Sequence, residues 1–102
     1  NGTLYINNGN FKTYNNFSLA TETSSTHSFL KMIGANDKVY VGGNFFTNAY
    51  DSHNNYLTDG ILEIKGNFTQ KSSEYWGSKA NFCATGNHKT LFSDNRTQTI
   101  NF

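Results

Sequence analysis

Short runs of alternating apolar and polar residues, separated by Gly and Asn, recur along the whole chain. The clearest example is the segment Tyr56–Gln70, in which a tight turn at Asp59-Gly60 joins two short strands and a second turn follows at Gly66. Apolar residues fall at i and i+2, and no stretch keeps a helical period. Sixteen Asn residues, mostly beside Gly or at the ends of apolar runs, favour turns. The pattern predicts an all-β chain.

Similar residues also recur at steps of about two dozen positions, which is typical of stacked repeats. A spacing of 26 residues relates Leu30 to Tyr56 and Tyr56 to Phe82. A period of this length with short strands predicts a parallel β-solenoid, similar to a right-handed β-helix, whose inward side chains form columns. The predicted columns are Leu30, Tyr56 and Phe82; Val39, Leu62 and Thr90; and Val41, Ile64 and Phe92. The alternative is a β-sandwich, the fold of many carbohydrate-binding modules.

The corners of such a solenoid are predicted at the repeated Gly-Asn-Phe motif. The motif occurs at 9–11, 43–45 and 66–68, with a Gly-Asn-His variant at 86–88. Stacked amides can form hydrogen-bonded ladders, as they do in cross-β structures. We therefore expect a ladder at one corner made of Asn10, Asn44, Asn67 and Asn87.

Three polar insertions interrupt the strand pattern, and each precedes an equivalent strand. They are Thr21–Ser28, Asn48–Asn55 and Lys71–Ala80. In a stack they would emerge along one edge and lie near each other, and loops on a rigid scaffold often form binding surfaces. Aromatic rings in them can pack on the flat faces of sugars. The candidate ligand-binding residues are Tyr50, Asp51, His53, Tyr75 and Trp76. The alternative is that Tyr75 and Trp76 fold back and cap the core.

Composition limits the partners of the chain. The 102 residues predict a single module, 1–102, that is a fragment of a larger protein. Only 35% of the residues are hydrophobic but 16% are aromatic, so the core must rely on rings. A net charge of +1 with no basic run argues against nucleic acid and anionic membranes. No membrane span or signal peptide is visible, so either the chain is cytosolic or its signal lies outside this sequence. Cys83 is expected to be a small buried hydrophobe.

Candidate chemistry is sparse in this sequence. No pair of the seven carboxylates is predicted to face across a cleft, and no nucleophile motif is present, so we expect no enzyme. His27 and His53 lie 26 residues apart and, with Asp51, suggest a metal site, although solvated loop histidines are commoner. No cofactor is expected. A weak calcium site at 51–55 is a further possibility, because this segment offers oxygen ligands but lacks the spacing of a calcium loop.

Three segments, 37–47, 56–70 and 81–102, carry a recognisable pattern, and its most specific part is the motif ATGNHK followed by a short strand and TQTINF. On these segments the chain resembles a repeat module of large secreted or surface-exposed proteins of Gram-positive anaerobic bacteria. Thr90 and Ser93-Asp94 depart from the family pattern. The resemblance implies a parallel β-solenoid-like unit in a multi-domain protein of the cell surface or cell wall, without enzymatic activity.

Two functions follow as hypotheses. The first is a non-catalytic structural or adhesive module that spaces or displays other domains or assembles into a fibre. Its partners would be neighbouring repeats, or copies of itself stacked end to end, because open solenoid ends expose unpaired backbone. The second is a carbohydrate-binding module that uses exposed aromatic residues in the loops to bind glycans.

Overall fold

A computed structural model describes residues 2–20, 27–71 and 81–102. Within these residues the chain forms ten short strands and no helix, so no helix there can cross a membrane. The strands are β1 (Gly2–Tyr5), β2 (Asn10–Thr13), β3 (Phe17–Leu19), β4 (Ser28–Lys31), β5 (Lys38–Val41), β6 (Phe45–Thr47), β7 (Ile61–Ile64), β8 (Phe68–Gln70), β9 (Lys89–Phe92) and β10 (Ile100–Asn101).

The strands wind into a parallel β-solenoid of about three turns with three faces. One face has the strand order β2-β5-β7-β9, and a second has the order β3-β6-β8-β10. We call the first the lysine face. The third begins with β1 and β4 and continues through the parallel bridges from Met32 to Leu57 and from Leu57 to Ala84. Every strand pair is parallel. The all-β solenoid prediction is confirmed, and the sandwich alternative is wrong.

Two of the three predicted columns match the strand register. Val39 pairs with Leu62 and Leu62 with Thr90. Val41, Ile64 and Phe92 align in the same way on the same strands. The prediction succeeded here because these strands alternate strictly, so the inward positions can be read directly from the sequence.

The predicted column of Leu30, Tyr56 and Phe82 is wrong. The observed column on this face runs from Met32 to Leu57 and then to Ala84. A shift of one residue moves a side chain to the opposite face of a sheet. Tyr56 consequently points outward, whereas its neighbour Leu57 is completely buried. Phe82 packs partly buried against the core instead of lining this column.

Phenylalanine rings from three successive turns form the centre of the core. Phe17 and Phe45 stack at 5.5 Å between ring centroids, and Phe45 and Phe68 stack at 5.4 Å and 4°. Phe82 meets Phe45 and Phe68 edge-on. The expectation that the core relies on rings is met only in part, because two of the ten residues in the buried core cluster, Phe45 and Phe68, are aromatic and the other eight are Leu, Ile, Val and Met. Cys83 is only half-buried, so the expectation of a buried thiol is not met.

An asparagine ladder follows the corner between the lysine face and the β3-β6-β8-β10 sheet. The side-chain oxygen of Asn16 accepts from the backbone N–H of Asn44, 28 residues on, at 2.8 Å. Asn44 accepts in turn from Asn67. Asn67 accepts from Thr99, 32 residues on. The prediction of a ladder was right for Asn44 and Asn67 but wrong for two other members.

Asn10 and Asn87 lie at a different corner, because Asn10 begins β2 and Asn87 lies two residues before β9, and both strands belong to the lysine face. The Gly-Asn-Phe motif at 9–11 therefore is not equivalent to those at 43–45 and 66–68. The true equivalent in the first turn is Asn16-Phe17, where Asn15 replaces the glycine. The three-residue motif was misleading because the same turn chemistry suits both corners.

A buried aspartate closes the corner between the first and third faces. Asp37 has no exposed surface. One carboxylate oxygen accepts from the backbone N–H of Asn8, and the other accepts from Ile33 and Gly34 at 2.9 and 3.0 Å. The backbone oxygen of Asp37 accepts from Ile61 at 2.9 Å. This one residue therefore connects three turns of the solenoid.

Candidate binding face

A row of side chains on one strand forms the centre of the candidate site. His27, Phe29 and Lys31 alternate along β4 and the residue before it, so they share the outward side while Leu30 is buried inside. Alternate residues of a strand lie about 6.6 Å apart, which makes the row about 13 Å long. We call this row, with the Tyr50, Asp51, Tyr56 and Tyr5 side chains around it, the aromatic row.

The middle of the aromatic row is a pair of stacked rings. Phe29 and Tyr56 lie 4.4 Å apart between centroids with an interplanar angle of 9°. The ammonium group of Lys31 lies 4.7 Å from the centroid of Tyr5 and 5.9 Å from that of Tyr56. Cation–π contacts of this kind hold the lysine between the rings of two turns. The result is a pair of stacked rings with a positive charge at one end.

The opposite end of the row carries an imidazole and a carboxylate. The Nδ1 atom of His27 contacts a carboxylate oxygen of Asp51. The ring of Tyr50 meets that of His27 edge-on at 5.6 Å. The side chains of His27 and Asp51 are 45% and 37% exposed, so both groups can still reach a ligand. Donors, acceptors and aromatic faces therefore occur together within one row.

Tyr50 and Asp51 are held there by a buried histidine in their own loop. His53 has no exposed surface. Its Nδ1 atom lies 2.9 Å from the backbone oxygen of Asn81, which can only accept, so Nδ1 carries the proton. Its Nε2 atom accepts from the backbone N–H of Leu30 at 3.1 Å. One imidazole thus ties the 48–55 loop to β4 and to the next turn.

Asn81 completes this anchor by satisfying the polar groups around it. Its side-chain oxygen accepts from the hydroxyl of Thr47 at 2.7 Å, and its amide donates to the backbone oxygen of Lys71 at 2.7 Å. Among the described residues, no buried side-chain nitrogen or oxygen lacks a partner. A fully satisfied buried polar network gives a loop a single fixed position.

Burial lowers the pKa of His53 below its ordinary value of 6.5, although the backbone of Asn81 and the charge of Asp51 oppose the shift. The imidazole is therefore neutral at pH 7, as its two hydrogen bonds require. Burial also lowers the pKa of His88. The Nδ1 atom of His88 lies 3.0 Å from the backbone oxygen of Asp59 in the preceding turn. Both histidines connect successive turns.

The five predicted ligand-binding residues have different positions. Tyr50 and Asp51 lie together at the surface, whereas His53 is buried and both of its ring nitrogens are occupied. We therefore restrict the ligand-binding prediction to Tyr50 and Asp51 and assign His53 to positioning them. Tyr75 and Trp76 lie outside the described residues.

The two histidines suggested for a metal site do not converge, because His27 is partly exposed on the outer side and His53 is fully buried. No group of three metal-ligating side chains occurs in the described ranges, and calcium binding at 51–55 stays a prediction.

Sequence reasoning missed Phe29 and Lys31. The alternation of residues 27, 29 and 31 was the signal that could have identified them. It indicates a strand, but it also places these three side chains together on the outer surface.

Comparisons with known proteins add no relative. The chain matches no protein-family model, and searches of curated proteins and of solved structures found no match.

Proposed function

We propose that the chain is a non-catalytic structural module whose open solenoid ends stack on similar turns. Those turns belong to a neighbouring repeat or to a second copy of the chain. The observation that carries this proposal is the topology. Within the described residues β1, β2 and β3 each pair on one side only, and so do β9 and β10 at the opposite end. Unpaired parallel edges of this kind accept further strands.

The side chains at the two ends are suited to such stacking. Phe102 and Ile100 are 76% and 48% exposed at one end, directly below the phenylalanine stack. At the other end Phe17 and Phe11 are partly buried rings that pack on the core from one side. Apolar columns that reach both ends would continue through a junction, as they do between the turns inside the module. The resemblance to surface repeat modules supports an extracellular, cell-surface setting.

A tandem fusion of two copies tests this proposal. If the ends stack, nearest-neighbour coupling makes the tandem more resistant to urea than the single chain, with one cooperative transition. Replacing Ile100 and Phe102 of the first copy by Ser should abolish that gain. The matched control is Ile33→Ser, because Ile33 is 40% exposed but lies on β4's face rather than at an end. An identical urea midpoint for tandem and single chain would refute the proposal.

A second function, carbohydrate binding, is supported by the aromatic row. The row brings the rings of Phe29, Tyr56 and Tyr50 together with Asp51, which can accept hydrogen bonds from hydroxyl groups. A glycan array compares the wild type with Tyr50→Ala and with Phe29→Ser. The control, Phe46→Ala, removes a half-buried ring from a different face. Trp76→Ala tests the ring that the sequence predicted. Binding that survives in the Tyr50 and Phe29 variants would exclude the aromatic row as the site.

A further inference from the structure

The lysine face carries half of the basic residues of the chain. The outward positions of β2, β5, β7 and β9, with the residue after β7, hold Lys12, Lys38, Lys65 and Lys89, and the chain has eight basic residues in all. Glu63 is the only carboxylate at the outward positions of these four strands. A net charge of +1 for the whole chain therefore conceals a distinctly positive face.

These lysines are not neutralised by neighbouring acids. Within the described part of the chain, no carboxylate oxygen lies within 4.0 Å of any of the four ammonium groups. Lys65 donates to the backbone oxygen of Ser93 at 2.9 Å. Lys38 and Lys89 are exposed and form no side-chain hydrogen bond with the described residues. Their charges are directed at the solvent.

Lys12 is held in place by rings rather than by an acid. Its ammonium group lies 4.9 Å from the centroid of Tyr14 and 4.8 Å from that of Tyr40. A cation fixed between two rings keeps its charge while it loses little further freedom on binding. Tyr14 is 75% exposed, so the ring itself is also open to a ligand.

A concavity of about 330 Å³ lies between these groups. The residues that line it include Lys12, Lys38, Tyr40, Ile61 and Glu63. Glu63 accepts a hydrogen bond from the hydroxyl of Ser93 at 2.6 Å, so its orientation is fixed. Two basic residues, one acidic residue and two residues with apolar surface therefore border the same concavity.

We infer that the lysine face binds a linear acidic polysaccharide. Sugar rings lie against Tyr40 and Ile61, ammonium groups of Lys12 and Lys38 pair with the sugar carboxylates, and Glu63 accepts from a sugar hydroxyl. Adjacent strands lie about 4.8 Å apart, so Lys89 extends the same surface along the solenoid axis. A nucleic acid fits less well, because Glu63 would repel its backbone and the four cations form a small field compared with a nucleic-acid interface.

Polygalacturonate is the probe, with neutral dextran as its uncharged counterpart. We expect polygalacturonate to bind by calorimetry in about 20 mM NaCl and to weaken roughly tenfold by about 300 mM, because salt screens exposed charges. Dextran should bind at least tenfold more weakly. The double variant Lys12→Gln/Lys38→Gln should lose roughly tenfold or more of the affinity for polygalacturonate. Lys71→Gln, at an exposed position off this face, should not.

Several outcomes would overturn the inference. One is an absence of polygalacturonate binding at low salt. Another is an equal loss in Lys71→Gln, which would mean that any positive charge suffices. Equal or tighter binding of single-stranded DNA would mark the face as a nucleic-acid surface instead. Loss of polygalacturonate binding in Tyr50→Ala would move the site to the aromatic row. None of these measurements depends on stacking of the ends, so the tandem fusion and this experiment fail independently.

Discussion

The side-chain oxygen of Asn44 accepts a hydrogen bond from the backbone N–H of Asn67 at 2.8 Å, across one turn of the solenoid. This bond satisfies the backbone N–H of Asn67 at the corner, between two backbone hydrogen bonds that Gly66 donates to Gly43 and Phe45 donates to Asn67. The corner is solvent-accessible, so water can partly replace the bond.

Replacing Asn44 by Ala should therefore lower the free energy of unfolding by about 1 kcal/mol. Asn44→Asp keeps the acceptor oxygen and should retain most of the stability. Asn54→Ala is the control, since Asn54 is exposed and its side chain is outside the ladder. Urea unfolding measures all three variants. Equal stability of Asn44→Ala and Asn54→Ala would show that the ladder contributes nothing.

The lowered pKa values of His53 and His88 predict a loss of stability in mild acid. Both His53 and His88 have a folded-state pKa below the ordinary value of 6.5. The stability that these two neutral imidazoles contribute to the folded chain is fully present above pH 6.5. As the pH falls below 6.5, the unfolded chain binds protons that the folded chain does not, and stability decreases until the folded pKa is reached. The slope is at most about 1.4 kcal/mol per pH unit for each group.

Urea unfolding between pH 7.5 and pH 5 measures this dependence. His53→Gln and His88→Gln should each lower the stability at pH 7.5 and each flatten the dependence on pH, because the group that must stay neutral is gone. The double variant should be flatter than either. A double variant as pH-sensitive as the wild type would assign the effect to other groups.

The stacked phenylalanine column predicts a large difference between two neighbouring positions on β6. Phe45 is 1% exposed and packs between Phe17 and Phe68. Phe45→Ala should cost about 4 kcal/mol, which is a large share of the stability of a domain of this size. Phe46 points to the opposite side of the same strand, and Phe46→Ala should cost about 1 kcal/mol or less. Similar losses in both variants would contradict the assigned register.

The three backbone donors on Asp37 predict that even an isosteric change is harmful. In Asp37→Asn one oxygen acceptor becomes an amide donor that must face a backbone N–H of Asn8, Ile33 or Gly34. We expect a loss of about 3 kcal/mol. Asp59→Asn is the matched control, because among the described residues the Asp59 side chain accepts only from its neighbour Gly60. The two variants can be compared by thermal unfolding, and a loss in Asp59→Asn as large as in Asp37→Asn would count against this role.

The regular strands of the fold were predictable, because the alternation of apolar and polar residues that defines them lies within a few neighbouring positions. Alternation in Val39-Tyr40-Val41 and Leu62-Glu63-Ile64 fixes which side chains point inward, and the register then follows. The column through Leu57 was not predictable from a constant period. The steps from Met32 to Leu57 and from Leu57 to Ala84 are 25 and 27 residues, so a constant step of 26 selects an outward neighbour such as Tyr56 instead of Leu57.

The candidate sites were predictable only in part, since they combine residues from different turns. Tyr50 and Asp51 could be found from loop composition. The position of His53 depends on Leu30 and Asn81, which are 23 and 28 residues away. The lysine face was missed because its four lysines are dispersed in the sequence and no run of charge marks them. Only the stacking of turns assembles them on one surface.

The unequal steps of the asparagine ladder have a practical consequence. Successive rungs are 28, 23 and 32 residues apart, yet each forms the same hydrogen bond. The stack thus tolerates excursions of different length between rungs. Foreign peptides grafted between the bend at Ser93 and the rung at Thr99, where the longest step occurs, should be carried without distorting the scaffold, which makes this chain a starting point for displaying epitopes.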